Sequence, residues 1–513
     1  MVSFRHVLIC LALSCAPALA ANYPLELVSP RAAGTAPSSD AGTPSMPSGH
    51  RALFAYPGIA YNIRAVVIAG AYPYAFSLSN APSGMTINAA SGEINWPNPT
   101  ANATPTITVT DTEGTQRTAS WTIAVGTGPF KFVDSQNGND SNAGTLQAPW
   151  RTLAGVAAGS RAGDIVYFRT GTYTTVGMPV DNAASGEFQP TGNWQRVGFA
   201  APRWIAFPGE SPIYDGGYQA NVRQGNILLV GGTDTNPVYL DGFQMRNMWH
   251  MGIQFGSGSH YPVFRNLSFT GPSIGVDGAN SAGIMTTSSL TNPTYYAAYQ
   301  RLTQTNAGSG LVKQYSHKKG LWEEFDIRNS TLGPDQKMHV VRFEVRKCVI
   351  AANSSSGQGG FFGNMQFGSG GVGERSSGEF RFNLVDRRNV SAPAIALDLN
   401  QNGDTLNMFV YRNTFLGELQ VRGVMTDDGP FRIYQNVIVN STSGTPAGSH
   451  ILHYEVVDPS RILPTDNLVG FPADNLVTAT GTLAPSQDRW RGLRGHEIGS
   501  EVRPRPPTAV AVQ

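Results

Sequence analysis

A charge-dense segment from Lys313 to Lys347 contains the residues best suited to chemistry. Thirteen of its 35 residues are charged, compared with 14% of the whole chain. Elimination from a uronate requires a cation that neutralises the C6 carboxylate and a base that removes the C5 proton. Lysine, arginine, histidine or bound calcium can share these tasks. The candidate catalytic group consists of Lys318, Lys319, His339 and Arg342.

Alternation within this segment predicts a strand with one polar face. If Phe343 and Val345 point into a core, then Arg342, Glu344 and Arg346 point away from it. The same charges also fit a solvated belt of salt bridges around two coils of a repeat structure. No family-specific catalytic motif is matched, so both interpretations stay open at the level of sequence.

The segment DLNQNGD offers a second kind of chemistry. Asp398, Asn400, Asn402 and Asp404 fall at alternate positions, and Gly403 permits a tight turn. Calcium-binding loops use such spacing to bring oxygen ligands together, although the distant glutamate of an EF-hand loop is missing here. Ca²⁺ is therefore the one cofactor predicted, with a polar turn as the alternative.

An acidic pair, Asp427 and Asp428, is a weaker candidate for hydrolysis, since glycosidases place two carboxylates across the bond that is cut. The Gly-His-Gly and Arg-Ile-Lys elements of polygalacturonase-type hydrolases are absent, so elimination ranks above hydrolysis. A surface turn before Gly429 and Pro430 is the other explanation.

A repeated pattern indicates the elements that would position these residues. An asparagine, or a similar residue, recurs just before an apolar strand, at intervals that fit one to three turns of a solenoid of roughly 18 to 30 residues per turn. An asparagine amide at a bend can bond its own backbone and stack on the next coil's asparagine, so these positions are structural. The marks are Arg246-Asn247, Arg265-Asn266, Arg328-Asn329, Arg346-Lys347, Phe382-Asn383, Arg412-Asn413 and Gln435-Asn436.

The alternation of apolar residues around these marks predicts which side chains fill the interior of the solenoid. The predicted interior residues are Leu240, Phe243, Met245, Phe343, Val345, Phe431, Ile433, Val437 and Val439.

Two segments past Gly128 carry a family resemblance: FVDSQNGNDSNAGTLQAPWRTL (132–153) and AGDIVYFRTGTY (162–173). They resemble the opening of pectate-lyase-like right-handed parallel β-helix proteins. In that family the first segment covers the end of the helix and the second forms its first coil. IAFPGESPIYDGG (205–217) resembles the next coils. The resemblance implies a β-helix over residues 128–500, contact with extracellular polysaccharide and, in many such lyases, bound calcium.

A different pattern precedes the repeats. From residue 51 to 127, apolar residues two apart predict the half-buried strands of a sandwich. The segments YAFSLSNAPSGMTINAASGEINW (74–96) and TITVTDTEG (106–114) resemble Ig-like and dystroglycan-type cadherin-like modules of bacterial exoproteins, which serve as spacers or adaptors. Asp111 and Glu113 are possible calcium ligands of such a module, although a solvated turn explains them better.

The N-terminus predicts export. Arg5 and His6 precede an apolar run and Ala18-Leu19-Ala20, so residues 1–20 read as a signal peptide cleaved after Ala20. A lipoprotein anchor at Cys15 is the less favoured alternative. Residues 21–50, rich in Pro, Ser, Gly and Ala, predict a flexible linker, and residues 501–513 a disordered tail.

The mature protein is expected to be secreted or periplasmic, without membrane insertion. Signal removal leaves Cys348 as the one cysteine, read as a small buried hydrophobe, so no internal disulfide forms. A net charge of +1 gives no general attraction to nucleic acid. The leading expectation is a polysaccharide lyase acting by β-elimination on an acidic polymer. The alternative is a non-catalytic glycan-binding or surface protein.

Overall fold

The computed structural model describes most of the chain from residue 21 onward, and almost all of its regular structure is β. The described residues are 21–178, 195–200, 202–217, 226–233, 235–248, 252–256, 259–271, 283–286, 292–307, 311–313, 316–328, 337–338, 340–351, 366–367, 376–386, 395–400, 405–416, 418–422, 431–439, 451–454, 462–465 and 468–469. The predicted signal peptide, Cys15 and the predicted C-terminal tail lie outside these ranges.

The C-terminal part is a parallel β-helix, which confirms the predicted fold class. Strands of successive coils pair in parallel and in register, so that each coil adds one strand to each sheet. The longest sheet, sheet A, consists of Phe130–Val133, Ile165–Phe168, Arg203–Ala206, Tyr239–Asp241, Val263–Arg265, Ala298–Gln300, Leu321–Glu323, Phe343–Arg346, Ser376–Arg381, Thr405–Tyr411, Phe431–Tyr434 and Ile462–Thr465.

From the strand Tyr239–Asp241 to the strand Phe431–Tyr434, a strand of sheet B follows each strand of sheet A after two residues, of which the first forms the corner. Sheet B consists of Thr172–Thr174, Ile213–Asp215, Gln244–Arg246, Ser268–Thr270, Thr303–Thr305, Asp326–Arg328, Val349–Ala351, Leu384–Asp386, Thr414–Leu416, Val437–Val439 and Leu468–Val469.

The remaining strands of the helix form four shorter groups, which complete the coils. These are Gln195–Ala200, Asn226–Gly231, Gly252–Phe255, Gly283–Thr286 and Val312–Lys313; Thr294–Tyr295, His317–Lys318 and Val340–Val341; Lys337–Met338 and Gln366–Phe367; and Ile395–Asn400, Glu418–Arg422 and Ile451–Tyr454.

The corner between sheets A and B is a single residue with positive φ, as at Asn266 (φ 52°) and Arg301 (φ 55°). Its backbone N–H donates to a carbonyl of the next coil, from Asn266 to Gln300 at 3.0 Å and from Arg301 to Glu323 at 2.8 Å. Each of these corners therefore bonds to the end of the sheet A strand in the next coil, which turns the chain sharply without leaving an unpaired amide.

The predicted stacking of asparagines is confirmed for the last coils. Asn383 Nδ2 donates to Asn413 Oδ1 at 3.0 Å, and Asn413 Nδ2 donates to Asn436 Oδ1 at 2.9 Å, all fully buried. Cys348 occupies the same position one coil earlier, where its N–H donates to Asn383 Oδ1 at 2.9 Å. The buried free thiol agrees with the prediction for this residue, and burial raises its pKa.

The seven residue pairs that mark the repeat in the sequence nevertheless do not occupy one equivalent position in the coil. Asn266 is itself the positive-φ corner residue, and Asn247 has positive φ directly after a strand of sheet B, whereas Asn383, Asn413 and Asn436 come one residue after the corner. The αL conformation tolerates asparagine best among residues with a side chain, which explains the first pair. A buried amide that bonds along the stack explains the second set.

The interior of the helix follows the predicted alternation except in one strand of sheet B. Leu240, Phe243, Met245, Phe343, Val345 and Ile433 belong to one continuous core. The prediction that Val437 faces the interior is wrong, because Ile438 belongs to this core and Val437 does not. The side chains of Phe431 and Val439 lie outside the described part of the structure. The corner at Gln435 and the inward amide of Asn436 shift the alternation by one residue.

A short helix closes the N-terminal end of the β-helix. Helix α1, Leu153–Gly159, begins after Thr152, whose Oγ1 accepts from the N–H of Ala154 at 3.1 Å. Leu153 and Val156 pack onto the interior core, so the segment after the first strand covers the end of the helix as the family resemblance implies.

The N-terminal module is a β-sandwich, as predicted. Its antiparallel sheets contain Tyr61–Arg64, Glu93–Trp96 and Thr86–Ile87, and Ala75–Ser79, Thr106–Thr110 and Gln116–Ser120. Its remaining pairs are Glu26–Ser29 with Val66–Ile68, and Phe54–Ala55 with Ala124–Val125; a 3₁₀ turn spans Arg51–Leu53. The core contains Phe76, Ile94, Trp96, Ile107, Val109, Trp121 and Ile123.

Residues 21–50 are packed, so their interpretation as a flexible linker is wrong. Glu26–Ser29 pairs antiparallel with Val66–Ile68, and Leu25, Leu27 and Val28 are buried. The segment then runs along the β-helix: Asn22 Nδ2 donates to Tyr434 Oη at 3.0 Å, and the N–H of Gly49 donates to the carbonyl of Thr235 at 2.9 Å. Leu25, Leu27 and Val28, which precede the Pro- and Ser-rich stretch, anchor it. The exact domain boundaries stay predictions.

No helix in the described ranges has both the length and the apolar character needed to span a membrane.

Candidate functional site

The module covers the outer face of sheet A. Outward side chains of that sheet, among them Tyr167, Tyr239, Val263 and Leu321, share one apolar cluster with the core of the sandwich. Sheet A is therefore buried on both faces along the strands that carry these residues, and their outward side chains contact protein rather than solvent.

Because the module covers the outer face of sheet A, it determines the environment of the charged side chains on that face. Glu344 and Arg346 point away from the interior, as the alternation predicts, but each is only 2% exposed. The interpretation as a solvated belt is wrong, because the module lies over these residues. They also do not form an open polar face.

The covered charges form one continuous ion-pair network. Arg346 Nη2 lies 2.9 Å from Glu323 Oε1, and Arg346 Nη1 lies 2.9 Å from Glu344 Oε1. Arg381 Nη2 lies 2.6 Å from the same Glu344 oxygen. Burial opposes the charged form of Arg381, yet the neighbouring Glu344 raises its pKa well above the ordinary value.

The module completes this network from its own side. Arg64 Nη1 and Nη2 donate to the two oxygens of Glu324, each at 2.9 Å, in a bidentate pair. Bidentate pairing with several neighbours is the geometry in which buried charges compensate the cost of leaving water. The charge density near residue 323 thus belongs to an internal interface.

Two members of the predicted catalytic group are held by the N-terminal segment. Lys319 Nζ lies 2.9 Å from Glu26 Oε1 and 2.7 Å from Asp40 Oδ2, and the lysine is only 6% exposed. Arg342 Nη1 lies 2.7 Å from the same oxygen of Asp40. The hydrogen bond from Lys319 lowers the pKa of Asp40 below its usual range. These contacts are those of residues that fasten the segment to the helix.

Lys318 and His339 differ from this pair. Lys318 is half-buried on the strand His317–Lys318, and its Nζ lies 5.6 Å from the centre of the Tyr295 ring. His339 lies outside the described residues, although the next residue, Val340, is the register partner of His317. The structure does not bring Lys318, Lys319 and Arg342 into one open group, since Lys319 is buried against Glu26, and the catalytic role of the four predicted residues stays a prediction.

The predicted calcium loop is only partly described. Asp398 and Asn400 lie in the strand Ile395–Asn400, and their register partners are Gln420 and Arg422. An extended strand separates residues two apart by about 6.8 Å, so these two positions are not part of a tight loop. Asn402 and Asp404 lie outside the described residues, as do Asp427 and Asp428. Calcium binding stays a prediction.

Asp111 has a structural role in the module. Its oxygens accept hydrogen bonds from the N–H groups of Ala71, Glu113 and Thr115 at 2.8–3.0 Å, and it is 5% exposed. Glu113 is exposed at the same turn. The turn interpretation is supported, with Asp111 buried rather than solvated.

A cleft of about 340 Å³ opens where the module meets the early coils of the β-helix. We call it the junction cleft. Module residues and β-helix residues line it together, which makes it a joint product of the two. Its lining includes Arg51, Asn62 and Asn95 from the module, and Tyr167, Phe207, Glu210, Asp241, Arg265 and Asn266 from the helix.

Most charges of the junction cleft are already paired. Arg265 donates through Nε at 3.0 Å and through Nη2 at 2.5 Å to Asp241 Oδ2, and Arg169 Nε lies 2.7 Å from Glu210 Oε1. Arg265 Nη2 also donates to Asn62 Oδ1 at 2.9 Å, which fixes one wall of the cleft to the other. Arg265 Nη1 has no hydrogen-bond partner among the described residues.

Sequence reasoning missed the junction cleft. Its residues come from positions between 51 and 266 and share no motif, so neither spacing nor periodicity relates them. The one usable signal in the sequence is Asn266, which belongs to the repeat mark Arg265-Asn266 and forms a positive-φ corner. Its Nδ2 donates to Asp241 Oδ1 at 2.7 Å and extends the polar lining of the cleft.

Comparison with known proteins gives one match in sequence. Residues 35–126 match the family model described as "Putative Ig domain". No curated protein matches the chain.

Solved structures with similar folds include, by their titles, two lyases and one exopolygalacturonase. "Rhamnogalacturonan lyase" is 15% identical, with a TM-score of 0.40, covering 66% of this chain and 87% of its own. Pectate lyase Pel9A is 13% identical, with a TM-score of 0.37, covering 68% and 82%. The Family 28 exopolygalacturonase of Yersinia enterocolitica is 10% identical, with a TM-score of 0.37, covering 82% and 98%.

These similarities are too low to carry an argument about activity. The matched family and the strand pairing of this chain agree on its architecture: residues 35–126 form an Ig-like module, and the coils that follow form a parallel β-helix.

Proposed function

We propose that this protein is exported and acts on extracellular polysaccharide, which it binds in the junction cleft. The observation that carries the proposal is the cleft itself, a polar and aromatic recess built jointly by a rigidly attached module and a β-helix.

The lining of the cleft suits a sugar. Amides, guanidinium groups and carboxylates can donate to or accept from ring hydroxyls, while the rings of Tyr167 and Phe207 add apolar surface. Its volume is near the lower end of the roughly 300–1,000 Å³ range of ligand pockets. One or two sugar units fit, and the rest of a polymer would continue over the surface.

The module is a working part of this proposal rather than a spacer. It supplies Arg51, Asn62 and Asn95 to the cleft, and the buried ion pairs of sheet A hold it in place. A site made by two fixed bodies is preorganised, which lowers the entropic cost of binding.

β-Elimination on a uronate-containing polymer is the finer form of the proposal. In this form Lys318, on the strand His317–Lys318, and His339 are the members of the predicted group assigned to catalysis. A cation neutralises the uronate carboxylate, and the base removes the C5 proton before the bond to the leaving oxygen breaks. Non-catalytic binding is the competing form.

The test combines binding and turnover on the mature chain. A panel of neutral and uronate polymers is screened by calorimetry for binding and by ultraviolet absorbance for the unsaturated product of elimination. Glycan binding supports the proposal, and its absence across the panel overturns it. Unsaturated product that disappears in the double variant Lys318→Met, His339→Gln supports elimination.

Turnover that survives in this double variant would assign catalysis to other residues. Retained affinity without any product would favour the binding form. Lys319→Met serves as a comparison, because its effect should appear as lower thermal stability rather than as a selective loss of turnover.

A further inference from the structure

Two buried arginines beside the junction cleft lack an acidic partner. Arg51 and Arg203 are each 1% exposed. Arg51 Nη2 donates to Tyr167 Oη at 3.1 Å and Nη1 to the carbonyl of Phe54, whereas Arg203 Nη1 donates to the carbonyl of Gly49. Within the described parts of the chain, neither guanidinium lies within ion-pair distance of a carboxylate.

This pair contrasts with the other buried arginines of sheet A. Arg265, Arg346 and Arg381 each contact a carboxylate at 2.9 Å or less. Among the described residues, the Nε atoms of Arg51 and Arg203 also lack a hydrogen-bond partner. Arg31 is a further buried arginine without an ion pair in that part of the chain, but it does not line the cleft.

The two uncompensated charges influence one another. Burial lowers the pKa of Arg203 to about 10, and the charge of Arg51 contributes to the same direction. A buried charge without an ion-pair partner costs free energy of folding, and a bound anion would remove part of that cost. An unfavourable arrangement beside an open recess is characteristic of ligand sites.

Arg51 connects this positive charge to the cleft, since it lines the recess together with Arg265. Arg265 brings a second donor without a partner, its Nη1. The two carboxylates of the lining, Asp241 and Glu210, are neutralised by Arg265 and Arg169, so they do not cancel the charge of Arg51.

We infer that the junction cleft binds an anionic group on a sugar, a carboxylate or a sulfate ester, at its Arg51 end. The inference rests on the proposed function and adds the charge class of the ligand and the residues that select it. Asn62 and Asn95 lie on the module side of the cleft, where ring hydroxyls of the same sugar would be bound.

The experiment measures affinity by calorimetry on the mature full-length chain. The probes are trigalacturonate, its fully methyl-esterified form and a sulfated disaccharide. We expect at least one anionic probe to bind at least about tenfold more tightly than the ester, with affinity that falls as salt rises. Preference between the carboxylate and sulfate probes identifies the source of the charge.

Two matched variants locate the site. Asn95→Phe fills the cleft without removing a buried ion pair, and Asn98→Phe makes the same change at an exposed position of the same module that does not line the cleft. Asn95→Phe should weaken binding of the anionic probe by at least about tenfold, while Asn98→Phe should change it less than about twofold. Arg51→Met should reduce the preference for the acid over the ester. If the Arg51→Met protein does not fold, the two asparagine variants still test the location of the site.

The outcomes separate this inference from the proposed function. Equal affinity for acid and ester, both lost in Asn95→Phe, overturns the anionic site and leaves glycan binding in place. Anion binding unchanged by Asn95→Phe places the ligand elsewhere and overturns the inference. Absence of binding by any glycan overturns both.

Discussion

Arg346 Nη1 donates to the backbone carbonyl of Val67 at 2.9 Å, although 279 positions separate the two residues. The same nitrogen lies 2.9 Å from Glu344 Oε1. One guanidinium therefore joins the sandwich to the outer face of sheet A and also balances the charge of that face. Removing it leaves Glu323 and Glu344 with fewer compensating charges in a buried site.

Arg346→Met should consequently lower the free energy of unfolding by about 3–5 kcal/mol, the usual effect of leaving a buried ion pair without one partner. Chemical denaturation followed by tryptophan fluorescence measures it. Arg328→Met is the control, because that side chain is 41% exposed and pairs with Asp326, so its loss should stay within about 1 kcal/mol. Equal small losses in both variants would contradict the role given to Arg346.

Deletion of residues 21–127 should leave a β-helix that aggregates. The deletion exposes a row of apolar side chains on sheet A, which includes Tyr167, Tyr239, Val263 and Leu321. Size-exclusion chromatography with light scattering, together with binding of a hydrophobic dye, tests this. As a control, cleavage of the intact chain at a protease site placed after Gly128 should leave the two parts associated. A monomeric, dye-negative deletion variant would show that the module is a spacer after all.

Asn413→Ala should cost more than a surface substitution of the same type. It removes the oxygen that accepts from both the backbone N–H and Nδ2 of Asn383, at 2.9 and 3.0 Å. Buried donors without a partner cost about 1–3 kcal/mol each. Asn137→Ala, at an exposed loop position, should change stability by less than about 0.5 kcal/mol. Comparable melting temperatures for the two variants would count against the asparagine stack as a stabilising element.

The free energy of unfolding should decrease as pH falls below about 6.5, because of His50. Burial lowers the pKa of this histidine to about 3, with the charges of Arg203 and Arg51 acting in the same direction. In the unfolded chain its pKa is about 6.5, so between these values the unfolded state binds the extra proton and the folded state loses stability as pH falls. The contribution approaches about 1.4 kcal/mol per pH unit toward the acid end of this window.

His50→Asn provides the comparison for this pH dependence. Nδ1 of His50 accepts from the N–H of Ala52, and asparagine can supply an uncharged acceptor at the same cap. The variant should lose less stability than the wild type between pH 6.5 and pH 4, as followed by urea denaturation. Parallel pH profiles for the two proteins would rule out His50 as the source.

Calcium binding at Asp398, Asn400, Asn402 and Asp404 predicts a chelator effect. A ligand that binds only the folded state raises its melting temperature, so EDTA should lower that of the wild type and have no further effect on Asp398→Ala. Glu113→Ala, at an exposed turn of the module, should respond to EDTA as the wild type does. If EDTA leaves the melting temperature of the wild type unchanged, the prediction of calcium binding is wrong.

The sequence predicts what alternation and turn chemistry control. The inward set Leu240, Phe343 and Val345 is correct, since residues of one strand face are fixed by their spacing alone. The environment of Glu344 is not predictable in this way, because an outward residue is solvated or buried according to what packs on it. The covering segment here is encoded more than 270 positions earlier.

The candidate site likewise combines residues that the sequence identifies with contacts that the sequence does not predict. Lys319 and Arg342 stand out in the sequence as charged residues in one segment, but Asp40, which pairs with both, lies in a stretch whose composition suggests a linker. A junction cleft depends on two bodies meeting, and no local pattern reports such a meeting. Charge balance at Arg51 and Arg203 can be judged only after burial is known.

The course of the N-terminal segment also sets an order of events. Asn22 contacts Tyr434, and Gly49 contacts Thr235, so the segment runs against the direction in which the coils are added. Asn22, which is synthesised early, therefore contacts Tyr434, which is synthesised late. A growing chain can stack its coils one after another, but it cannot be fastened along its length until residue 434 exists. Final assembly is therefore a late, post-translational step, and a chain that stops short of that residue would leave its own beginning undocked.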